Sequence, residues 1–292
     1  HLLFNLKVIK KNIKSYQVRI RGNLIDLATP KIMGILNLTK DSFYDGGKYN
    51  NVDDISNQIS KMVEDGLDIL DIGGYSSRPG AKNISSDEEK SRVLPVLKHI
   101  KKKFPQLVIS IDTFRSEIAE ACLSEGADII NDISSGIIDK EMMKTISKFN
   151  CPYIMMHMLG NPQNMQDSPK YKDVVIEVIK FLSQRIKIAR DFGIVDLIAD
   201  PGFGFGKTTE NNFEILNNLE KFKILDVPLL TGFSRKSMIY KTLNTTSKNA
   251  LNGTSSLNTI ALTKGAKILR VHDVKEAKEC IILHEKTISS LF

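Results

Sequence analysis

The sequence predicts an α/β protein, a (β/α)8 barrel with a short N-terminal β-hairpin, on three observations. Short apolar, β-branched runs recur after residue 30, eight in all. Amphipathic stretches with three- and four-residue apolar steps separate them. Each run closes on polar or charged residues, as strands do whose ends line a common mouth.

Residues 1–30 precede this rhythm, and 7–19 alternates weakly, which suits a small hairpin closing the barrel bottom. Strands are expected at 31–38, 68–73, 108–112, 129–133, 152–157, 197–200, 227–231 and 268–272. They are apolar nearly throughout, as parallel strands covered on both faces are. The clearest helix is 171–192, where Val174, Val175, Val178, Ile179, Leu182, Ile186 and Ala189 mark one face. Another spans 87–103, with Ser85 or Ser86 as its cap ahead of Glu88 and Glu89. The last runs over 274–291. Gly66, Gly126, Gly193 and Gly265 each fall just before a strand, where helix C-caps belong. No linker interrupts 31–292, so a single barrel domain is expected after the 1–30 extension. Periodicity does not show closure, and an open doubly wound sheet remains the alternative.

A chain of 292 residues can bury a large core unaided. Its 41 basic and 34 acidic residues leave a net charge of +7, compatible with nucleic acid, an anionic surface or a phosphorylated small molecule. Aromatic residues do not interleave with a basic stripe, which argues against nucleic acid. No apolar run approaches the roughly 20 residues needed to span a bilayer, and the first four residues lack a signal-peptide pattern. Cys122, Cys151 and Cys280 are odd in number and far apart, so a reducing cytoplasmic setting is expected.

The strand ends carry Asn37, Asp71, Asp112, Asn131, Asp132, His157, Asp200, Ser234, Arg235, Lys236, Arg270 and His272. Arg270 and His272 alternate within an apolar strand, so both face one side. Residues 201–208 (PGFGFGKT) fit neither the P-loop nor the dinucleotide template. They read as a flexible glycine loop that approaches a flat ligand, with Lys207 near the rim. Arg235 and Lys236 open a helix and together suggest an anion site. Asn37 offers one amide oxygen, which suits a hard cation such as Mg2+ that keeps several waters.

These residues resemble the dihydropteroate synthase family. Residues 33–47 (MGILNLTKDSFYDGG) are similar to its first signature and 71–81 (DIGGYSSRPGA) to its second. Residues 110–113 (SIDT), 131–133 (NDI), 200–207 (DPGFGFGK), 232–237 (GFSRKS) and 269–273 (LRVHD) match in order. The resemblance implies a TIM barrel transferase of folate biosynthesis. It would join 6-hydroxymethyl-7,8-dihydropterin diphosphate to 4-aminobenzoate and release diphosphate, with sulfonamides competing with the second substrate. It implies pterin contacts at Asp112, Asn131, Ile133, Met155, Asp200, Phe205, Gly232 and Lys236. Phe43, Ser77, Pro79, Lys236 and Ser237 would meet 4-aminobenzoate. Asn37, Arg78, Arg270 and His272 would hold the diphosphate, with Mg2+ at Asn37; these four and Lys236 form the catalytic set. A homodimer is also implied.

Three positions depart from the family pattern. Lys40 stands where the first loop usually has Pro, Tyr75 where the second usually has Glu, and Ser77 where it usually has Thr, which keeps a hydroxyl. The first loosens a loop, and the second removes a charge beside the expected diphosphate. A related pterin methyltransferase and a non-catalytic pterin-binding module are the competing readings. The Ser-Arg-Pro-Gly segment at 77–80 and the Ser-Arg-Lys-Ser segment at 234–237 favour the synthase over the first, and intact Asn37, Arg78, Lys236 and His272 favour it over the second.

Overall fold

A computed structural model describes residues 15–38, 52–76, 83–160, 165 and 169–289. It begins with an antiparallel hairpin, β1 (Gln17–Ile20) and β2 (Asn23–Asp26). Arg21 and Gly22 join them at φ 52° and 80°, the left-handed pair of a two-residue hairpin turn. The hairpin therefore lies later than the weak alternation at 7–19 suggests, because that turn sets the register. Residues 1–14 are outside the described residues.

Eight parallel strands follow: β3 (Lys31–Asn37), β4 (Ile69–Gly73), β5 (Val108–Asp112), β6 (Ile129–Asp132), β7 (Tyr153–Met156), β8 (Leu197–Asp200), β9 (Leu230–Thr231) and β10 (Ile268–Val271). Their order is β8-β7-β6-β5-β4-β3-β10-β9. A parallel bridge between Ala199 and Leu229 joins the two outer strands, so the sheet closes on itself and the open alternative is excluded. The seventh barrel strand is shorter than expected. Pro228 has no N–H to offer a ladder, though its carbonyl accepts from Ala199 N at 3.0 Å. Asp226 just before it takes φ 57°.

Helices between the strands include α1 (Val52–Glu64), α2 (Ser86–Lys103), α3 (Ser116–Ser124), α4 (Met142–Phe149) and α5 (Val174–Asp191). They continue with α6 (Thr209–Asn217), α7 (Ser237–Thr242), α8 (Leu251–Thr263) and α9 (Val274–Ser289). Ser85 caps α2 by accepting from Glu88 N at 3.1 Å, and Asp173 caps α5 by accepting from Ile176 N at 2.8 Å. The four helix-end glycines all take positive φ, between 81° and 100°.

Strand alternation sorts the core into two layers. Outward residues such as Leu36, Ile72, Ile111, Ile130 and Leu269 pack beneath the helices. Inward residues Met33, Ile69, Ile129, Ile154, Ile198, Leu230 and Ile268 fill the barrel bottom. Val18, Ile20 and Leu27 of the hairpin segment seal that plug from below. The next inward positions along each strand therefore face the opposite, C-terminal mouth.

Candidate active site

Arg270 stands one inward step above Ile268 and gathers two carboxylates at the mouth. Its Nε donates to Asp71 Oδ2 at 2.7 Å, and its Nη2 to Asp112 Oδ2 at 2.7 Å. Asn131 Nδ2 donates to the same Asp71 oxygen at 3.1 Å. Side chains from β4, β5, β6 and β10 thus form one network. Burial, opposed by Arg270 and reinforced by Asp71 and Glu89, pushes Asp112 up to about 7. Burial also opposes the Arg270 charge, but Asp71 and Asp112 more than offset it and raise its pKa.

A second group lies beside it. Asp200 accepts from Gly202 N at 2.7 Å, and burial raises its pKa against the pull of Lys236. Lys236 precedes α7; its Nζ donates to Phe203 O at 2.5 Å and sits 4.7 Å from the centre of the Phe205 ring. Burial pushes Lys236 down to about 8, with Asp200 opposing. Gly232 keeps the space between the two cations open. A Cβ there would stand 3.6 Å from Arg270 Cβ and 4.0 Å from Lys236 Nζ.

The remaining wall is apolar: Tyr75, Phe114, Ile133, Met156, Met158 and Met165, with Phe205 packed against them. Tyr75 meets Phe114 edge-on at 5.0 Å and lies beneath the Arg115 guanidinium at 5.5 Å. Buried Glu89 receives Arg115 Nη1 at 2.6 Å and Thr113 Oγ1 at 2.7 Å. Tyr75 therefore turns into the apolar wall at the position where the family pattern has a carboxylate.

His272 is exposed at the rim. Ser234 Oγ accepts from His272 N at 3.1 Å and lies 2.9 Å from His272 Nδ1. The serine hydroxyl can meet Nδ1 as donor or as acceptor, so it fixes the ring's place with either nitrogen protonated. Asn37 ends β3, half-buried. Its Oδ1 and Asp112 Oδ2 lie 3.6 and 3.7 Å from the point where Gly73 would carry a Cβ, so both border one gap. Among the described residues no group of three or more His, Cys, Asp or Glu side chains could hold a metal ion. One amide oxygen beside a carboxylate fits a cation that arrives hydrated on a phosphorylated ligand, and does not fit a protein-built cage.

The structure thus brings Asn37, Asp112, Asn131, Ile133, Asp200, Phe205, Gly232, Lys236, Arg270 and His272 to one mouth, with Ser237 half-buried at the start of α7. Phe43, Ser77, Arg78, Pro79 and Lys40 lie outside the described residues. Three expectations are corrected. Met155 points outward into the helix-covered core, because β7 alternates from Ile154 in the plug; Met156 faces the mouth instead. Lys207 is not at the rim but buried, and it pins a loop that the sequence presents as flexible. Arg235 does not join Lys236 in an anion site. Its Nε and Nη2 donate to Asp273 at 3.0 and 2.5 Å. Strand periodicity alone could have found Met156. Asp71 was visible as a strand end, but its role as the anchor of Arg270 and Asn131 needed the fold.

Comparison with known proteins agrees with this geometry. The "Pterin binding enzyme" family matches residues 33–272. Dihydropteroate synthase of Escherichia coli (strain K12) is 42% identical over 272 residues, covering 92% of this chain and 96% of the relative. The Yersinia pestis dihydropteroate synthase, solved as a sulfonamide drug complex, superposes with a TM-score of 0.87 at 39% identity, over 94% of this chain and 99% of that one. The Xanthomonas albilineans dihydropteroate synthase with 4-aminobenzoic acid gives 0.86 at 36% identity, with the same coverage. This chain belongs to the dihydropteroate synthase family of pterin-binding barrel enzymes.

Proposed function

We propose that this mouth condenses 6-hydroxymethyl-7,8-dihydropterin diphosphate with 4-aminobenzoate, giving 7,8-dihydropteroate and diphosphate. The observation that carries the reading is the convergence of Asp112, Asn131 and Asp200 with Lys236 and Arg270 on one side of a sealed barrel. A pterin edge alternates donors and acceptors. Asp200 accepts from the aminopyrimidinone edge, Asp112 and Asn131 read the far side, and Lys236 donates to the ring. Ile133, Met156 and Phe205 give the flat ring apolar contact. Phe43, Ser77, Pro79 and Ser237 receive 4-aminobenzoate, with the Lys236 stem covering its ring.

The leaving diphosphate is met by Arg78, Arg270 and His272. Asn37 would hold Mg2+, which when bound supplies charge neutralisation on the diphosphate. Gathering negative charge on the leaving group eases C–O cleavage, the electron-rich pterin stabilises the resulting cation, and the arylamine nitrogen then attacks. No protein nucleophile is needed. Cys122, Cys151 and Cys280 are unpaired and buried, which supports a reducing cytoplasmic setting, and a homodimer completes the reading.

The test is diphosphate release by the full chain with both substrates. Release that requires Mg2+ and 4-aminobenzoate is expected. Asp200→Asn should weaken pterin binding by roughly 10- to 100-fold, the worth of a charge-assisted hydrogen bond. Absence of release with active substrates, or parental pterin affinity in Asp200→Asn, overturns the reading.

A further inference from the structure

Lys207 is an unusual occupant of a barrel wall, with 3% of its surface exposed. Burying an ammonium costs several kcal/mol unless its protons are fully used. Here its three protons meet four acceptors, with the longest contact shared, and burial still pushes Lys207 down to about 7 against the pull of Asp200. Nζ donates to Gly202 O at 2.9 Å, to Phe205 O at 3.0 Å and to His157 O at 3.3 Å, and faces His157 Nδ1 at 2.9 Å. A ring nitrogen facing an ammonium must accept, so the His157 proton sits on Nε2 and the ring is neutral. Burial and the adjacent Lys207 hold the His157 pKa down at about 2.

Around this cation the 202–206 backbone is tied at almost every polar group. Tyr171 donates its hydroxyl to Gly206 O at 2.6 Å, and Gly204 N donates to Asn212 Oδ1 at 2.7 Å. Gly202 takes φ 72°, and a Cβ there would overlap the His157 carbonyl, so the loop lies directly on the end of β7. One carbonyl, that of Phe203, is turned the other way, and it receives Lys236 Nζ. The Phe205 ring closes over the same ammonium. Lys207 itself is spent on the loop and does not touch Lys236.

We propose that Lys207 is a positioning residue for the reaction: by folding the glycine loop around its ammonium, it sets the carbonyl and ring that hold Lys236 beside Asp200. The inference rests on the functional reading above. Without Lys207, the Phe205 and His157 carbonyls lose their buried donor and turn to water, while the Gly202 carbonyl keeps only Phe205 N at 3.1 Å. The loop lifts, Phe203 and Phe205 leave Lys236, and Lys236 becomes hydrated. The groups whose charge reaches Lys236 are Asp200 on β8, Arg270 on β10, Asp112 on β5 and, through mutual repulsion, Lys207 itself; Lys207 is flanked by Asp200, Lys236 and His157. Lys236 is pushed down to about 8 chiefly by burial, so hydration moves it upward.

Lys207→Met and the milder Lys207→Gln are therefore compared with the parent for kcat, KM and the pH profile of kcat/KM, alongside thermal unfolding. The expected result is a rise in pterin diphosphate KM of about 10-fold or more with a smaller change in kcat, since small misplacements of a binding group are costly. The alkaline limb set by Lys236 should move to higher pH in both; because both also remove the Lys207 charge that repels Lys236, the KM rise carries the positioning claim, and a shifted limb with parental KM overturns it. A loss of folded protein alone would lower the amplitude and leave the limb in place. Parental KM and limb in either folded variant overturn the proposal. If neither variant folds, 15N NMR of lysine Nζ groups in the parent decides. The Lys207 titration should shift when pterin diphosphate binds at Lys236, and an unchanged titration overturns the proposal. Diphosphate release by the parent is the control: its absence sinks the functional reading, which no variant of Lys207 can do.

Discussion

Asp112 shows how one strand-end carboxylate is shaped by its neighbours. Arg270 holds it at 2.7 Å, yet burial near Asp71 and Glu89 still lifts it to about 7. Its unfolded value is about 3.9. Below about pH 4 both states keep the proton; between about 4 and 7 the unfolded chain releases it while the folded chain retains it. A raised folded pKa therefore stabilises at low pH, and that stabilisation is lost as pH rises through about 7. Asp112→Asn lacks this dependence. The stability of the parent relative to Asp112→Asn should fall when urea unfolding is compared at about pH 4, 5.5 and 7. A difference that stays level would mean that Asp112 is not desolvated as described.

Strands and loops decide which neighbours in sequence become functional. Met155 and Met156 are adjacent and chemically identical, yet β7 sends one into the helix-covered core and the other into the mouth. Met155→Ala should cost about 2–5 kcal/mol of stability by opening a core cavity and leave the pterin KM near the parental value. Met156→Ala should raise that KM by roughly 5- to 30-fold, the worth of a lost apolar wall of about 1–2 kcal/mol. Steady-state kinetics beside denaturant unfolding separates the two, and the reverse pattern would mean the strand register is wrong. The same logic disposes of Arg235 and Lys236. Arg235 takes φ 57° just before α7, which turns its guanidinium to Asp273 and leaves Lys236 alone to face the mouth.

At the scale of the whole barrel, chemistry and stability are divided between its two ends. The mouth holds the charged network, and the bottom is plugged by apolar side chains under the hairpin. Arg21 in the hairpin turn clips that end shut. It donates to both Asp128 oxygens at 2.7 and 2.8 Å and to the Pro105 and Leu107 carbonyls at 2.8 and 2.7 Å. Arg21→Ala should lower stability by about 1–3 kcal/mol, as removal of a charged hydrogen-bond cluster does, with both substrate KM values unchanged. A KM shift without a stability change would show that the ends are coupled. Net charge carries less information at this scale. Arg21, Arg92, Arg115, Lys207 and Arg235 are all engaged in bonds within the fold, so the surplus of +7 does not measure any binding surface.

Read by itself, the sequence determined the eight repeated βα units, the place of their strands and of three helices, and the end at which the chemistry collects. These follow from local rules: apolar periodicity, the helix cap at Ser85, and the glycines before four of the strands. Only the tertiary structure decided closure, through the Ala199–Leu229 bridge, and the partners of each polar side chain. Arg270 and Asp71 are 199 positions apart, Lys207 and His157 fifty, and no sequence rule links them. A charged residue in a glycine loop looks the same on paper whether it lines the rim or anchors the loop from beneath. Burial and the geometry of its acceptors make the difference, and both arise only when the eight strands meet.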